Sequence, residues 1–157
     1  MEFVDVIDEN GRVIEVKPLD YCVRLGLLHR AISVFVMSIS GQIYLQQRSK
    51  SDSWLPGLWI ASCTGHVKSG ELPEEATSRE LMDELGLEGR PIYLFKLVSP
   101  YIQYGERIEH EMNYVFEYTT ADELVIDRNE VEQMRLLSIQ DCKRFFASNV
   151  KEITLDA

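Results

Sequence analysis

The sequence predicts an α+β chain, an α/β/α sandwich in which a mixed β-sheet lies between helices. Three observations lead there. Short β-prone runs fall on both sides of one helical segment, Pro73–Leu85; that segment is amphipathic; and a capping signal at Ser138 opens a second helix near the end of the chain. With 157 residues, 45% apolar and 27% charged, there is material for one sizeable core and no sign of global disorder. Residues 1–157 are therefore expected to form a single domain.

The elements follow in order. Phe3–Ile7 and residues 13–16 are β-prone and joined by Asp8-Glu9-Asn10-Gly11, a hairpin signal, so a hairpin is expected over 3–16. Residues 18–28 are mixed, a turn or a short helix. Residues 31–37 (AISVFVM) read as a buried strand, Ser40-Gly41 turns the chain, and residues 43–47 return it. A polar loop over 49–53 and a break at Pro56-Gly57 precede residues 58–62. Pro73 suits a first helical turn, where its missing N–H costs nothing, and Glu74 and Glu75 complement the positive end of the helix dipole. Leu81, Met82 and Leu85 make an apolar stripe, and Gly86 stops the helix. Strands are predicted at 91–98 and about 111–119, with Tyr101 and Tyr104 in a loop between them. A loop rich in acids leads to a last strand, Val131–Leu137. The closing helix is expected at about 138–148, opened by Ser138-Ile139-Gln140-Asp141, a sequence like a capping box.

Sixteen Lys+Arg against 26 Asp+Glu leave a net charge of −10. Such a field repels phosphate backbones and anionic bilayers, which argues against nucleic acid or a membrane surface as partner. No apolar run approaches the roughly 18 residues that span a bilayer. The opening MEFVDVIDENGR lacks the basic and apolar regions of a signal peptide. Cys22, Cys63 and Cys142 form neither a disulfide framework nor a CxxC pair, and read as reduced thiols of a cytoplasmic protein. The expected partner is a small molecule, with a homodimer among the assemblies left open.

The chemistry begins on the Pro73–Leu85 helix. Glu80, Asp83 and Glu84 stand at i, i+3 and i+4, so all three carboxylates leave from one face. A solvated acidic face would look the same. A hard divalent cation gives the cluster a purpose, since Mg²⁺ takes carboxylate oxygens and keeps waters that phosphate oxygens can replace. The context selects this second reading. Gly65, Glu71, Arg79-Glu80-Leu81, Asp83-Glu84 and Gly86-Leu87 spell G-x5-E-x7-R-E-L-x-D-E-x-G-L. This resembles the Nudix box, with Asp83 where the family usually has Glu. Average residue frequencies would produce such a match roughly once in ten million chains of this length.

The resemblance implies a Nudix fold with a loop–helix–loop box over 65–87, a metal (Mg²⁺ or Mn²⁺) held by Glu80, Asp83 and Glu84 and the Gly65 carbonyl, and a structural ion pair between Arg79 and Glu71. It implies hydrolysis of a diphosphate joined to another group, of the nucleoside diphosphate-X type, by water attack on phosphorus, with Glu80 and Glu84 as the catalytic acids. The free diphosphate compound itself stays open: nucleotide sugars, nucleoside di- or triphosphates and prenyl diphosphates all fit.

The resemblance continues outside the box. Leu28-His29-Arg30-Ala31, Gln47-Arg48-Ser49, Leu55-Pro56-Gly57-Leu58-Trp59 and Gly65-His66 are similar to the branch holding type I isopentenyl-diphosphate isomerase and isomerase-like hydrolases. By that resemblance His29, His66, Glu109 and Glu111 form a second metal or phosphate site, with Cys22 where the family has a third histidine. Alternation puts Glu109 and Glu111 on one side of a strand. Three departures argue against isomerisation: Thr64 stands where the isomerases carry their cysteine, with Cys63 one residue early; Asp52 replaces a lysine; and the acids of the box are intact. The expectation is a hydrolase. An isomerase with an altered cysteine and a non-catalytic Nudix binding domain are the alternatives.

Arg48 and Lys50 are candidates for substrate phosphates, because a fork of donors suits phosphate geometry. Trp54 and Trp59 read as packing residues flanking Pro56-Gly57, with base or prenyl stacking as their alternative use.

Overall fold

The computed structural model describes residues 1–148. Strands β1 (Phe3–Ile7) and β2 (Val13–Pro18) form the expected hairpin, two residues longer than predicted at its far end. The mixed stretch after it is a helix, α1 (Leu19–Leu25), closed by Gly26 in the left-handed conformation. Then come β3 (His29–Ser38), β4 (Ile43–Arg48), β5 (Trp59–Ile60) and β6 (Cys63–His66). The segment 58–62 thus holds only the two-residue β5, and a further strand, β6, follows it into the box. Helix α2 (Pro73–Leu85) is followed by β7 (Ile92–Val98), β8 (Ile102–Tyr104), β9 (Arg107–Glu109), β10 (Glu111–Thr120), β11 (Val131–Leu137) and α3 (Ile139–Ser148).

Among the described residues nine strands form one mixed sheet, and β8 and β9 form a separate hairpin. That hairpin takes the place of the loop expected around Tyr101 and Tyr104. The central strand is β3. It pairs in parallel with β10 along its whole length, Glu111 beside His29 through Thr120 beside Ser38. On β3, β6 runs antiparallel, with His66 beside Ala31 and Cys63 beside Val34. Because side chains alternate across a strand, these registers put His29, His66 and Glu111 on one face. They put Cys63 on the opposite face, with Val34.

That opposite face builds the core. Ile32, Val34, Val36 and Cys63 pack with Val67 and Phe116 against Ala76, Leu81 and Leu85 of α2. Burying Leu81 and Leu85 contributes on the order of 1.5–3 kcal/mol each. Met82 is not part of this stripe: it is 47% exposed, since one residue past Leu81 turns about 100° away from the sheet. The start of α2 is satisfied by Glu75, whose carboxylate accepts the Leu72 N–H at 2.9 Å. Its end is closed at Gly86 (φ 65°), with Gly86 N–H donating to Met82 O and Leu87 N–H to Leu81 O. A smaller cluster of Val4, Val6 and Cys22 joins the first hairpin to α1. Trp54 is buried, and Trp59 meets Phe145 of α3 edge to face with ring centres 5.8 Å apart. No helix among the described residues is long and apolar enough to cross a membrane.

Candidate active site

A cavity of about 230 Å³ is lined by the ends of β3, β4 and β6, by α2 and by the β8–β9 hairpin. Two groups of potential metal ligands meet at it: Glu80, Glu84 and Glu130, which all line it, and His29, His66, Glu109 and Glu111, of which all but the fully buried His29 line it.

The first group grows from the box. Glu84 is 4% exposed, and Gln46 of β4 donates to its Oε1 at 2.8 Å. Burial raises its carboxyl well above the ordinary range; the adjoining Glu80 and the charge of Glu130 push the same way, against the Gln46 hydrogen bond. Glu80 lies against Gly65 so closely that a Cβ at Gly65 would stand 2.5 Å from its Cδ. Glycine is therefore the residue that lets the box loop meet the helix. Arg79 straps the same loop down: its Nε and Nη2 donate to the two Glu71 oxygens at 2.9 Å each, Nη2 also reaches the His66 carbonyl, and Nη1 pairs with Glu80.

Asp83 is not brought to this group. It is exposed on α2 and does not line the cavity, because i+3 from Glu80 falls on the solvent side of the stripe that Glu84 joins. Glu130 takes the third place. It stands directly before β11, whose pairing of Val131 with Arg48 delivers it to the mouth of β4. Burial and the charges of Glu80 and Asp127 raise its carboxyl too. No spacing rule connects Glu130 to the box; the only hint in the sequence is an acid at the entrance of a predicted strand.

The second group is assembled by sheet register. His66 Nε2 lies 3.4 Å from Glu109 Oε1 and 3.1 Å from Glu111 Oε2, and His29 Nε2 lies 3.2 Å from Glu109 Oε2. His110, between the glutamates, turns outward and stacks on Tyr101. His29 Nδ1 donates to the Leu27 carbonyl at 2.8 Å, an oxygen that can only accept. Its Nε2 therefore faces Glu109 Oε2 lone pair to lone pair, and both buried atoms lack a hydrogen-bond partner. A proton or a metal cation between them resolves that contact. Burial opposes a charge on His66, but the hydrogen bonds and charges of Glu109 and Glu111 outweigh it and lift its pKa to about 10. Burial likewise opposes charge on Glu109, yet the adjoining imidazoles of His29 and His66 hold it well below the usual carboxylate range. Cys22 does not join this group. It packs with Val4 and Val6, where burial pushes its thiol up, the reverse of what a thiolate ligand needs.

Thr64 lines the cavity, whereas Cys63 is fully buried in the core and its thiol is pushed far up by that burial. Arg48 lines the cavity, with Nε donating to the Trp54 carbonyl and Nη2 to Asp52, both at 2.8 Å. Lys50 does not: its side chain is exposed outside the lining. Arg107 of β9, not anticipated from the sequence, does line it.

A fold built around the box helix, with carboxylates converging beside it, defines a Nudix protein, and the comparisons agree. The NUDIX domain model matches residues 27–156, and the chain belongs to that family. Within it the chain falls in the isopentenyl-diphosphate isomerase-like branch. It is 30% identical over 154 residues to "Isopentenyl-diphosphate Delta-isomerase 1" of Photorhabdus laumondii, covering 95% of this chain and 86% of that protein. It is 31% identical to the "Isopentenyl-diphosphate Delta-isomerase" of Serratia proteamaculans, covering 73% of this chain but only 64% of that protein's length. An uncharacterized Nudix hydrolase of Clostridium acetobutylicum is 27% identical, covering 95% and 76%. Among solved structures, a Deinococcus radiodurans protein superposes with a TM-score of 0.73 at 22% identity, covering 94% of this chain and 90% of that one, which bears on the fold alone.

Proposed function

We propose that this protein is a metal-dependent pyrophosphohydrolase that cleaves a diphosphate linkage in a small nucleoside diphosphate-X type compound. The observation that carries this reading is the convergence of Glu80, Glu84 and Glu130 on a cavity that also holds arginine. These three crowded acids repel one another, and that repulsion adds to burial in raising the proton affinity of Glu84. Mg²⁺ or Mn²⁺ suits these oxygens, and when bound it supplies charge for the developing phosphate oxygens and acidifies water. The Gly65 carbonyl is the proposed further ligand, and Asp83 acts from outside the inner set.

Glu84 is the proposed general base: the most buried acid of the set accepts a proton most readily. Water oxygen bonds to phosphorus, its proton passes to Glu84, and the bridging P–O bond breaks with its electrons leaving on the departing phosphate. Arg48 holds phosphate oxygens from the β4 side. The His29, His66, Glu109 and Glu111 set suits a second ion with nitrogen and oxygen ligands, such as Zn²⁺ or Mn²⁺.

The test is a panel of diphosphate compounds assayed with Mg²⁺ and Mn²⁺. Glu84→Gln is expected to lower kcat at least about 10²-fold with the fold intact, the scale of a lost acid–base group. Activity surviving both EDTA and this substitution would overturn the assignment. The His–Glu set and the named relatives favour a second reading, an isomerase of isopentenyl diphosphate. Against it stands Cys63, turned into the core where no substrate carbon reaches it.

A further inference from the structure

We propose that Arg107 is a diphosphate-binding residue held in reserve by Glu109 until the His29, His66, Glu109 and Glu111 set takes up its cation. The inference rests on the cavity being a diphosphate site.

Among the described residues that line the cavity, Arg48 and Arg107 carry the permanent positive charges, facing a wall of carboxylates. Arg48, which holds phosphate oxygens in the proposed reaction, is already fixed in place at Nε and Nη2 by the Trp54 carbonyl and Asp52. Arg107 is placed differently. It sits on the β8–β9 hairpin, apart from the main sheet, and its Nε and Nη2 both donate to one oxygen, Glu109 Oε1. The guanidinium lies over the Trp54 ring, 4.9 Å from its centre, and Tyr104 meets the edge of the same ring. Trp54 is 3% exposed, so it is a fixed platform that sets the plane of the fork without depending on Glu109. The stacking face of Trp54 is thereby taken by this chain and is not offered to a base.

The anchor is the removable part. Glu109 Oε1 is also 3.4 Å from His66 Nε2, so the oxygen that restrains Arg107 belongs to the metal-ligand set. A cation held by that set draws on the same carboxylate and weakens its hold on the guanidinium. The fork, still stacked on Trp54, then presents two parallel donors to the cavity, the geometry that a phosphate accepts. Cation and diphosphate therefore favour one another, and by linkage each tightens the other's binding.

The experiment is calorimetric binding of methylenediphosphonate, which is not hydrolysed, in Mg²⁺ buffer with and without Zn²⁺. Wild type is compared with Arg107→Met, which keeps an apolar stem on Trp54, and with Arg107→Lys. Expected are Kd values at least tenfold weaker for Arg107→Met, partial recovery in Arg107→Lys, and a Zn²⁺-induced tightening in wild type that Arg107→Met loses. Kd within twofold of wild type in Arg107→Met, or no binding by wild type, overturns the proposal. Equal Zn²⁺ tightening in both proteins overturns the reserve role. Because binding is read without turnover, a protein that binds the analogue through Arg107 but hydrolyses no diphosphate refutes the hydrolase reading alone.

Discussion

Gly65 and His66 are neighbours in the chain and serve different groups of ligands, so each has its own test. At Gly65 the absent Cβ is what lets Glu80 lie against the loop. Gly65→Ala must push Glu80 aside by about an ångström, a displacement that costs on the order of 10² in rate when it moves a catalytic group. A matching fall in kcat, with an unchanged circular dichroism spectrum, is the expected result. His66 governs the pH response of the metal-free protein. Its imidazolium gains Glu109 and Glu111 on folding, so its pKa climbs from 6.5 to about 10. That stabilisation is complete below about 6.5 and fades as pH rises toward 10. The depressed carboxyl of Glu109 acts on the other limb, stabilising above its ordinary 4.5 and losing that effect as pH falls. The metal-free protein should melt highest between these limits, and His66→Asn should flatten the alkaline limb. An alkaline limb identical in the variant would show that other groups cause it. Zn²⁺ should replace the proton and restore the melting temperature at high pH.

At the scale of elements, the strap between the box loop and α2 is the most exposed to test. Arg79 makes a two-pronged pair with Glu71 at 2.9 Å, partly shielded from water. Glu71→Gln weakens one charged partner and leaves Arg79 short of another, for about 2 kcal/mol and a melting temperature lower by about 4–8 °C. Helix α2 and β11 have the bounds that periodicity and capping residues predicted, because each carries its own start and stop signals. The β8–β9 hairpin and α1 were not legible in the same way. Gly105 sits in a two-residue turn between strands of three residues, too short for alternation to register. In α1 about two turns of mixed polarity are stabilised by packing on β1 rather than by their own pattern. The site divides along the same line. Glu80 and Glu84 follow from spacing on one helix, and Glu109 and Glu111 from the resemblance, although they close β9 and open β10 rather than share one strand; Glu130 and Arg107 arrive by tertiary pairing that no local rule contains. Asp83 shows the limit from the other side, since sharing a helical face at i+3 did not carry it into the cavity.

For the molecule as a whole, the decisive question is whether water or carbon is the reacting partner. Isopentenyl diphosphate incubated with the protein and Mg²⁺ in heavy water is expected to gain no deuterium, because Thr64 faces the cavity and Cys63 faces the core. Clear turnover that Cys63→Ala abolishes would make the isomerase reading the first choice. The parallel pairing of β3 with β10 has a kinetic side as well. His29 and Glu111 become neighbours only after the chain has closed a loop containing the box helix and four other strands of the main sheet. Pairings between distant stretches are slow to form, since the entropy of closure is lost before any contact rewards it. During refolding the box helix can thus be present while the histidines still lack their glutamates. Zinc uptake should appear with a late kinetic phase and helical signal with an earlier one, so the ion reports completion of this long-range pairing rather than nucleating it.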